Sequence, residues 1–516
     1  MTISKFTCST AFLLTLGLLT GCSEDFLEEA PADQITDANF YQTETDAVQA
    51  TTAIYGELNK EGQYNMAMWA FDMWADISST GADDGNDGKE YKQLEAFSIP
   101  TTNDVANRLW GGSFVGIQRA NIVIQKVPGI QNIDPTVQKR CIGEAQFLRA
   151  KYYFDLVRAY GDVPLFTAPP TSPAAVNIPR TPVAEVYKQI EQDLIDAFGN
   201  LQPAYTANAD LGRATKWAAA GLLAKVYITE GKKTEAAQWA REVINNSGKT
   251  MWANYADNFK VENENRNDKE SLFEVQFVNG RNPADNPYIR NTVGSAMNEF
   301  FGPRGANQTP GSGYGFNIPD PDFVDGYEAG DTRKAATIFV PGDVFPDGAK
   351  QSAKATGSKL GYNVKKWFVG KVNTQIWDSG LNVPTMRLAE VYLILAEAVG
   401  PTAEGREAIN KVRRRSFGLP INTASAARDL TTTNPTEFTE AVFRERKYEL
   451  AFEFDRWFDL KRRGNAYTIQ RMTEQAALLK GYESSPHGIP TENNLLLPIP
   501  QSEIDANPGL VQNPGY

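Results

Sequence analysis

The chain has 516 residues, with 51 Lys and Arg against 63 Asp and Glu and a formal net charge of −12. An acidic protein of this size repels phosphate backbones, which excludes nucleic acid as a partner. Three cysteines and one histidine, His487, leave no material for a zinc site of those residues, and a Ser-His-acid triad could run only through His487.

Residues 1–21 read as a secretory signal. Lys5 is its one cation, Phe6 to Leu19 form an apolar run, and Leu19-Thr20-Gly21-Cys22 is a small-residue cut ending in cysteine. This lipobox predicts removal of 1–21 and acylation of Cys22 with palmitate-type chains. The apolar run is shorter than the ~20 residues a spanning helix needs. Glu24, Asp25, Glu28 and Glu29 place acid on the tether, which argues against a polybasic grip on anionic lipid. With Cys8 cleaved and Cys22 acylated, only Cys141 remains, so no intramolecular disulfide can form. Its amphipathic surroundings mark it as a small buried residue.

Apolar positions at helical spacing predict a helix over 38–58, with Asp37 as N-cap, and a second over 105–127. Ser78 to Gly88 is loop by composition. Trp69 and Trp74, in a Met-rich apolar run, are expected in the core. Helical spacing continues over 143–160 and stops at Gly161-Asp162-Val163-Pro164. Two helix pairs follow, 214–229 with 234–244 and 386–399 with 404–415, each hinged on glycine and rich in small residues, as in tetratricopeptide units. They are imperfect and far apart, so they read as embedded pairs, not a continuous array. A last long helix is expected over 435–463, with Arg446, Glu449, Glu453 and Arg456 on one stripe as an ion-pair lattice. The fold class is mainly α.

Two tracts interrupt the helices. Between Gly302 and Asp331 eleven of thirty residues are Gly or Pro, and 341–361 is similar in character. Long loops inside a domain tend to carry function, so these are expected to carry the binding surface. The acidic run Asp83-Asp84-Gly85-Asn86-Asp87-Gly88 fails as an EF-hand, because Gly85 and Leu94 fall where side-chain oxygens are required. His487, in Ser484-Ser485-Pro486-His487-Gly488, reads as a plain loop residue, and no Gly-x-Ser-x-Gly nucleophile motif accompanies it.

Gly143-Glu144-Ala145 through Tyr160-Gly161-Asp162-Val163-Pro164-Leu165, then Gly212-Arg213-Ala214-Thr215-Lys216 and Arg387-Leu388-Ala389-Glu390-Val391, form an ordered series of blocks. Arg444 to Leu450, Arg456-Trp457-Phe458-Asp459-Leu460-Lys461-Arg462, Asn494 to Pro500 and Gln512-Asn513-Pro514-Gly515-Tyr516 complete it. In these blocks the chain resembles the SusD/RagB family of outer-membrane nutrient-binding lipoproteins, and the acidic tether resembles the export signals of cell-surface lipoproteins. The resemblance implies a SusD-like helical scaffold with embedded tetratricopeptide-like helix pairs and a loop-rich second half. Its parts would be the signal 1–21, an N-terminal part 22–250 and a C-terminal part 251–516, packed as one unit. It further implies a lipid-anchored protein on the outer face of the outer membrane, without cofactor or enzymatic activity. Such a protein binds oligosaccharide, or in some members peptide, and passes it to a SusC-type TonB-dependent porin. A surface glycoside hydrolase is the alternative from another class, since paired carboxylates ~5 Å apart would suffice for it.

Sugar recognition without chemistry needs flat apolar faces for the rings and fixed polar groups for the hydroxyls. The loops that the resemblance points to offer Asp83, Asn86, Tyr91, Tyr288, Arg290, Tyr314 and Phe316 as ligand contacts, with Phe97 nearby. No metal ligand is expected among them.

Overall fold

The computed structural model describes residues 40–81, 86–279, 294–304, 313–345, 350–351, 358–370, 378–480 and 487–516. Side-chain caps decide where its helices begin. The Thr43 hydroxyl accepts from Asp46 N–H while the Asp46 carboxylate takes the Thr43 N–H, a capping box that opens α1 (Glu44–Tyr55). Thr43 therefore takes the place expected for Asp37, which lies outside the described residues. Next come the short α2 (Ala70–Met73), β1 (Ser78–Gly81) and α3 (Lys89–Glu95). Two long helices follow: α4 (Asp104–Lys126), capped by Asn103, and α5 (Pro135–Tyr160), capped by Asp134 with Pro135 in its first turn. After α6 (Val183–Asn200), Thr215 caps α7 (Lys216–Thr229), and α8 (Lys233–Asn246) returns against it.

The second half is more broken. It holds β2 (Ser271–Val275), α9 (Met297–Phe301), β3 (Phe316–Pro319), α10 (Pro321–Asp325), α11 (Arg333–Thr337), β4 (Ile338–Phe339), β5 (Asn363–Val364) and β6 (Val383–Arg387). Strand β6 runs straight into α12 (Leu388–Val399), which pairs with α13 (Ala403–Ser416). Then come α14 (Pro435–Glu449), α15 (Arg456–Arg462), α16 (Asn465–Leu478) and α17 (Gln501–Ala506). Among the described residues the strands form three antiparallel pairs, β1–β3, β2–β6 and β4–β5.

Successive helices α4 to α8 pack as a row, and α12 docks on α8, so the two predicted helix pairs lie side by side despite their separation in sequence. Helices α7 and α12 are buried over most of their surface, which is why alanine and leucine fill them on every side. The two halves share one core. Trp74 stacks on Trp457 with centroids 4.2 Å apart, and Phe71 lies 4.5 Å from Phe458. Trp69, Trp74 and Cys141 are buried as expected.

The helix expected over 435–463 breaks at 450–455, where Phe452 and Phe454 take left-handed φ of 60° and 67°. Such a backbone costs about 1–3 kcal/mol per residue and persists only where surroundings over-determine it. Here the Trp367 indole N–H donates to the Phe452 carbonyl at 2.9 Å, Lys366 donates to the Ala451 carbonyl, and Trp367 stacks on Phe454. The break also changes the predicted ion lattice, because each stripe residue finds its partner on another element. Arg446 binds Asp459 and Glu390, Glu449 binds Arg387, Arg415 and Arg333, Glu453 binds Arg387 and Lys366, and Arg456 binds Asp76.

Candidate ligand-binding face

The stretch Ser78–Gly81, expected as loop, is a fully buried strand paired antiparallel with Phe316–Pro319. Gly81 is needed there. Its φ is +73°, and a Cβ would stand 2.3 Å from the Gly315 carbonyl oxygen. The β1–β3 ribbon holds together two chain segments more than 230 residues apart, and around it the flanks of several loops converge. Arg304 donates from one Nη1 to Asp87 Oδ2 at 2.9 Å and to the Tyr314 carbonyl at 3.3 Å. Asn65 donates to the Gly294 carbonyl and accepts from Ala296 N–H. Ser295 and Ser379 exchange backbone bonds of 2.7 and 3.1 Å, and Asn298 binds both Val369 N–H and the Gly370 carbonyl. The described residues that flank 82–85, 280–293, 305–312 and 371–377 are thereby tied to one another.

An aromatic layer supports this surface. Trp69 lies 5.2 Å from Phe300, and Phe300 lies 5.1 Å from Tyr314 and 5.5 Å from Phe316. Tyr314 is half-buried at the edge of the layer and Asn86 is exposed. Asp87 and Arg304, each about one-third exposed in its side chain (32%), add a carboxylate and a guanidinium. These four supply an aromatic edge, an amide and a pair of charges to one face.

Of the residues expected from sequence, Asp83, Tyr288 and Arg290 lie outside the described residues. Tyr91 is on helix α3, not on a loop, and is 2% exposed, with its hydroxyl donating to the Met66 carbonyl and burial pushing the phenol well above its usual range. Phe316 is on strand β3 and 4% exposed, packed edge-on against Tyr91. Phe97 is likewise buried. Tyr91 and Phe316 thus lie in the floor under the face, whereas Phe97 packs against Trp74 and Trp457 in the core; none of the three presents an open surface. The pairing of Asp87 with Arg304 is not legible in the sequence. Opposite charges in two Gly-rich tracts were the only hint, and nothing local links them.

Other concavities are less suited to hydroxyl recognition. A cleft of about 240 Å³ is lined by Tyr55, Asn59, Arg213, Glu274 and Gln276, but its polar groups are already engaged. Arg213 binds Glu144 and Asp210, Gln276 and Asn265 exchange amide bonds, and Glu274, raised by burial, accepts from Asn382. A second cleft of about 240 Å³, lined by Trp110, Phe114, Phe166 and Leu510, is mainly apolar. Its buried amide Asn121 is spent on Arg149 and the Phe166 carbonyl.

His487 is not the plain loop residue expected. Its Nε2 lies 2.7 Å from Glu95 Oε1 and 2.9 Å from Ser79 Oγ, and Ser79 donates to Asp320 Oδ1 at 2.5 Å. Serine, histidine and carboxylate thus meet, but Ser79 is fully buried and its proton is directed at Asp320, so no substrate carbonyl can reach it. Among the described residues no group of three His, Cys, Asp or Glu is placed to hold a metal ion, and no helix is long and apolar enough to cross a membrane.

Comparison with known proteins matches this architecture. The model of the SusD family covers residues 239–516, and a second family model, described as starch-binding associating with outer membrane, covers 25–228. A SusD-like protein of Bacteroides ovatus is 30% identical over 86% of this chain and 80% of its own, and SusD-like protein P2 of Formosa agariphila is 28% identical over 98% and 99%. Among solved structures, a laminarin binding SusD-like protein superposes with TM-score 0.77 at 29% identity, covering 92% of this chain and 100% of that one. A SusD homolog of Bacteroides thetaiotaomicron gives TM-score 0.78 at 25% identity over 93% and 99%. Surface glycan-binding protein A of the same species, solved with laminarihexaose, shares the fold at 21% identity and TM-score 0.74 over 91% and 99%. The chain belongs to the SusD/RagB family.

Proposed function

We propose that this protein is an outer-membrane lipoprotein of the cell surface, held by acylated Cys22 after removal of 1–21. It binds glycan oligosaccharides at the face bearing Asn86, Asp87, Arg304 and Tyr314 and delivers them to a SusC-type TonB-dependent porin. The observation that carries the reading is the convergence of loop flanks on an aromatic layer with amide, carboxylate and guanidinium at its edge. Flat rings and fixed polar groups are what pyranose recognition requires. Support for a glycan comes from the relative at 29% identity that is named for laminarin binding. Asp83, Tyr288 and Arg290 extend the same site in this reading, and the protein acts by binding, without catalysis or cofactor. The pairs α7–α8 and α12–α13 are its tetratricopeptide-like units, with the two parts meeting near residue 250.

Calorimetric titration against a panel of β-glucan, α-glucan and other oligosaccharides, with peptides as the contrasting class, tests the reading. Binding of at least one oligosaccharide is expected, weakened at least tenfold by Asn86→Ala with Asp87→Ala. Binding of peptides and of no oligosaccharide refutes the glycan assignment, and product release from the panel refutes binding without chemistry. Co-purification of a TonB-dependent porin from detergent-solubilised membranes tests the delivery step.

A further inference from the structure

The chain's single histidine stands at a point where two stems of the candidate face can be held at once. Upstream of the segment 82–88 lies Ser79 on β1; downstream lies Glu95 at the end of α3. His487 Nε2 is hydrogen-bonded to Ser79 Oγ at 2.9 Å and lies 2.7 Å from Glu95 Oε1. We propose that His487 is a positioning residue for ligand capture, a clamp that fixes the spacing of the two stems and hence the placement of Asn86 and Asp87. The proposal rests on the ligand-binding reading of that face.

The clamp is built from three separate parts of the chain. Gly488 N–H donates to the Glu95 carbonyl at 3.0 Å, and a Cβ on Gly488 would stand 2.0 Å from the Ala96 carbonyl oxygen, so only glycine lets this segment lie against 95–97. Asn494 Nδ2 donates to the Phe97 carbonyl at 3.0 Å and secures the same contact further on. Beneath the imidazole, Ser79 donates to Asp320 Oδ1, while Gln475 of α16 donates to Asp320 Oδ2 at 2.8 Å and to Asp322 at 2.9 Å. The charged groups around the site are therefore Glu95 from α3, Asp320 and Asp322 at the start of α10, and Arg471 of α16, which is paired with Asp322. Burial pushes the Asp320 carboxyl up to about 7, against the pull of His487. The imidazole is hydrogen-bonded to Ser79 and faces the buried Glu95 carboxylate as its ion-pair partner when protonated, so its removal takes one polar contact from each stem.

A merely structural histidine would soften the molecule generally, whereas a clamp softens two defined stems. Hydrogen–deuterium exchange of the full chain separates these cases without a ligand. In His487→Ala the amides of 79–81 and 89–97 are expected to exchange roughly tenfold faster, while those of α4 and α7 stay as in the wild type. His487→Gln, which keeps an N–H donor near the position of Nε2, is expected to restore slow exchange and serves as the second variant should the alanine protein fold poorly. Unchanged stems in His487→Ala, equal acceleration throughout the chain, or equal acceleration in both variants overturns the clamp. Titration with laminarihexaose is read beside it. Loss of affinity in His487→Ala with recovery in His487→Gln is the expected result. Stems that loosen while affinity for laminarihexaose holds overturn the role in capture. Undiminished oligosaccharide binding in the Asn86→Ala, Asp87→Ala variant instead removes the site reading itself.

Discussion

Arg387→Met should destabilise the protein by about 3–5 kcal/mol, the cost of removing one partner from a buried ion pair. The Arg387 side chain is fully buried and donates to Glu270 Oε1 at 2.7 Å, to Glu449 Oε1 at 2.8 Å, to the Glu449 carbonyl at 2.9 Å and to both oxygens of Glu453. Three carboxylates thus lose one cation together. Each keeps another: Glu270 and Glu449 retain Arg415, Glu449 also retains Arg333, and Glu453 retains Lys366. The penalty is therefore that of one broken pair and not three. Urea unfolding followed by tryptophan fluorescence reads it. The pH dependence distinguishes lost charge from lost packing. Burial pushes the Glu449 carboxyl up, but Arg415, Arg387 and Arg333 overcome this and hold it at about 2. A depressed carboxyl stabilises above its unfolded pKa, near 4.5, and that stability drains away as pH falls toward 2. The penalty of Arg387→Met should accordingly shrink by about 1 kcal/mol between about pH 7 and pH 3.5. A penalty below about 1 kcal/mol at neutral pH, or one that does not change with pH, would refute this account of the lattice.

Burial drives the Asp72 carboxyl up to about 8 despite its bond from Asn317, so its contribution is full in acid and is lost as pH rises through that value. Thermal melts from about pH 6 to about pH 9 should therefore show falling stability, with a shallower fall in Asp72→Asn. Gly81→Ala should cost roughly 1–3 kcal/mol, because it strains a left-handed backbone and drives a methyl into the Gly315 carbonyl. Circular dichroism melting checks the cost, and a neutral result would mean the β1–β3 ribbon is loosely held. Cys22→Ala should give a protein that washes off cells yet binds ligand unchanged, since the tether is acidic and no disulfide or described spanning helix supports the fold. Fractionation of washed cells with and without the proposed porin partner separates retention by lipid from retention by partner.

Helix bodies were legible because burial writes a local period into the sequence. The predicted spans 105–127, 143–160, 214–229 and 404–415 fall within a few residues of α4, the latter part of α5, α7 and α13. The errors have a different character. Leu450-Ala451-Phe452-Glu453 has ordinary helical propensity, yet the chain breaks there because Lys366 and Trp367, more than 80 residues upstream, take its carbonyls. Ser78-Ser79-Thr80-Gly81 has the composition of an exposed loop and becomes a buried strand because its partner is Phe316–Pro319. His487 sits in a turn sequence and is buried because Gly488 lets the segment close on Ala96.

These errors share a cause. Each concerns polar groups whose partners lie far along the chain, and such partners leave no periodic trace in the residues around them. The β1–β3 ribbon, the Asp87–Arg304 pair and the His487 cluster all join segments more than 200 residues apart. All three also bear on the candidate face. A surface assembled from loop flanks has few apolar contacts of its own, so hydrogen bonds and ion pairs must fix it, and those bonds need a rigid scaffold to bring their members into range. The helical row provides that scaffold, and its periodicity is the part a reader of the sequence can see. The face is specified by single residues in separate loops, such as Asn86, Arg304 and Tyr314, whose substitution leaves every helical pattern intact. Ligand preference can therefore change by substitutions that no pattern in the scaffold would register, which is why the family is readable from the blocks around α5 and α14, whereas Asn86 and Tyr314 are legible only as loop residues of suitable chemistry and Arg304 not at all.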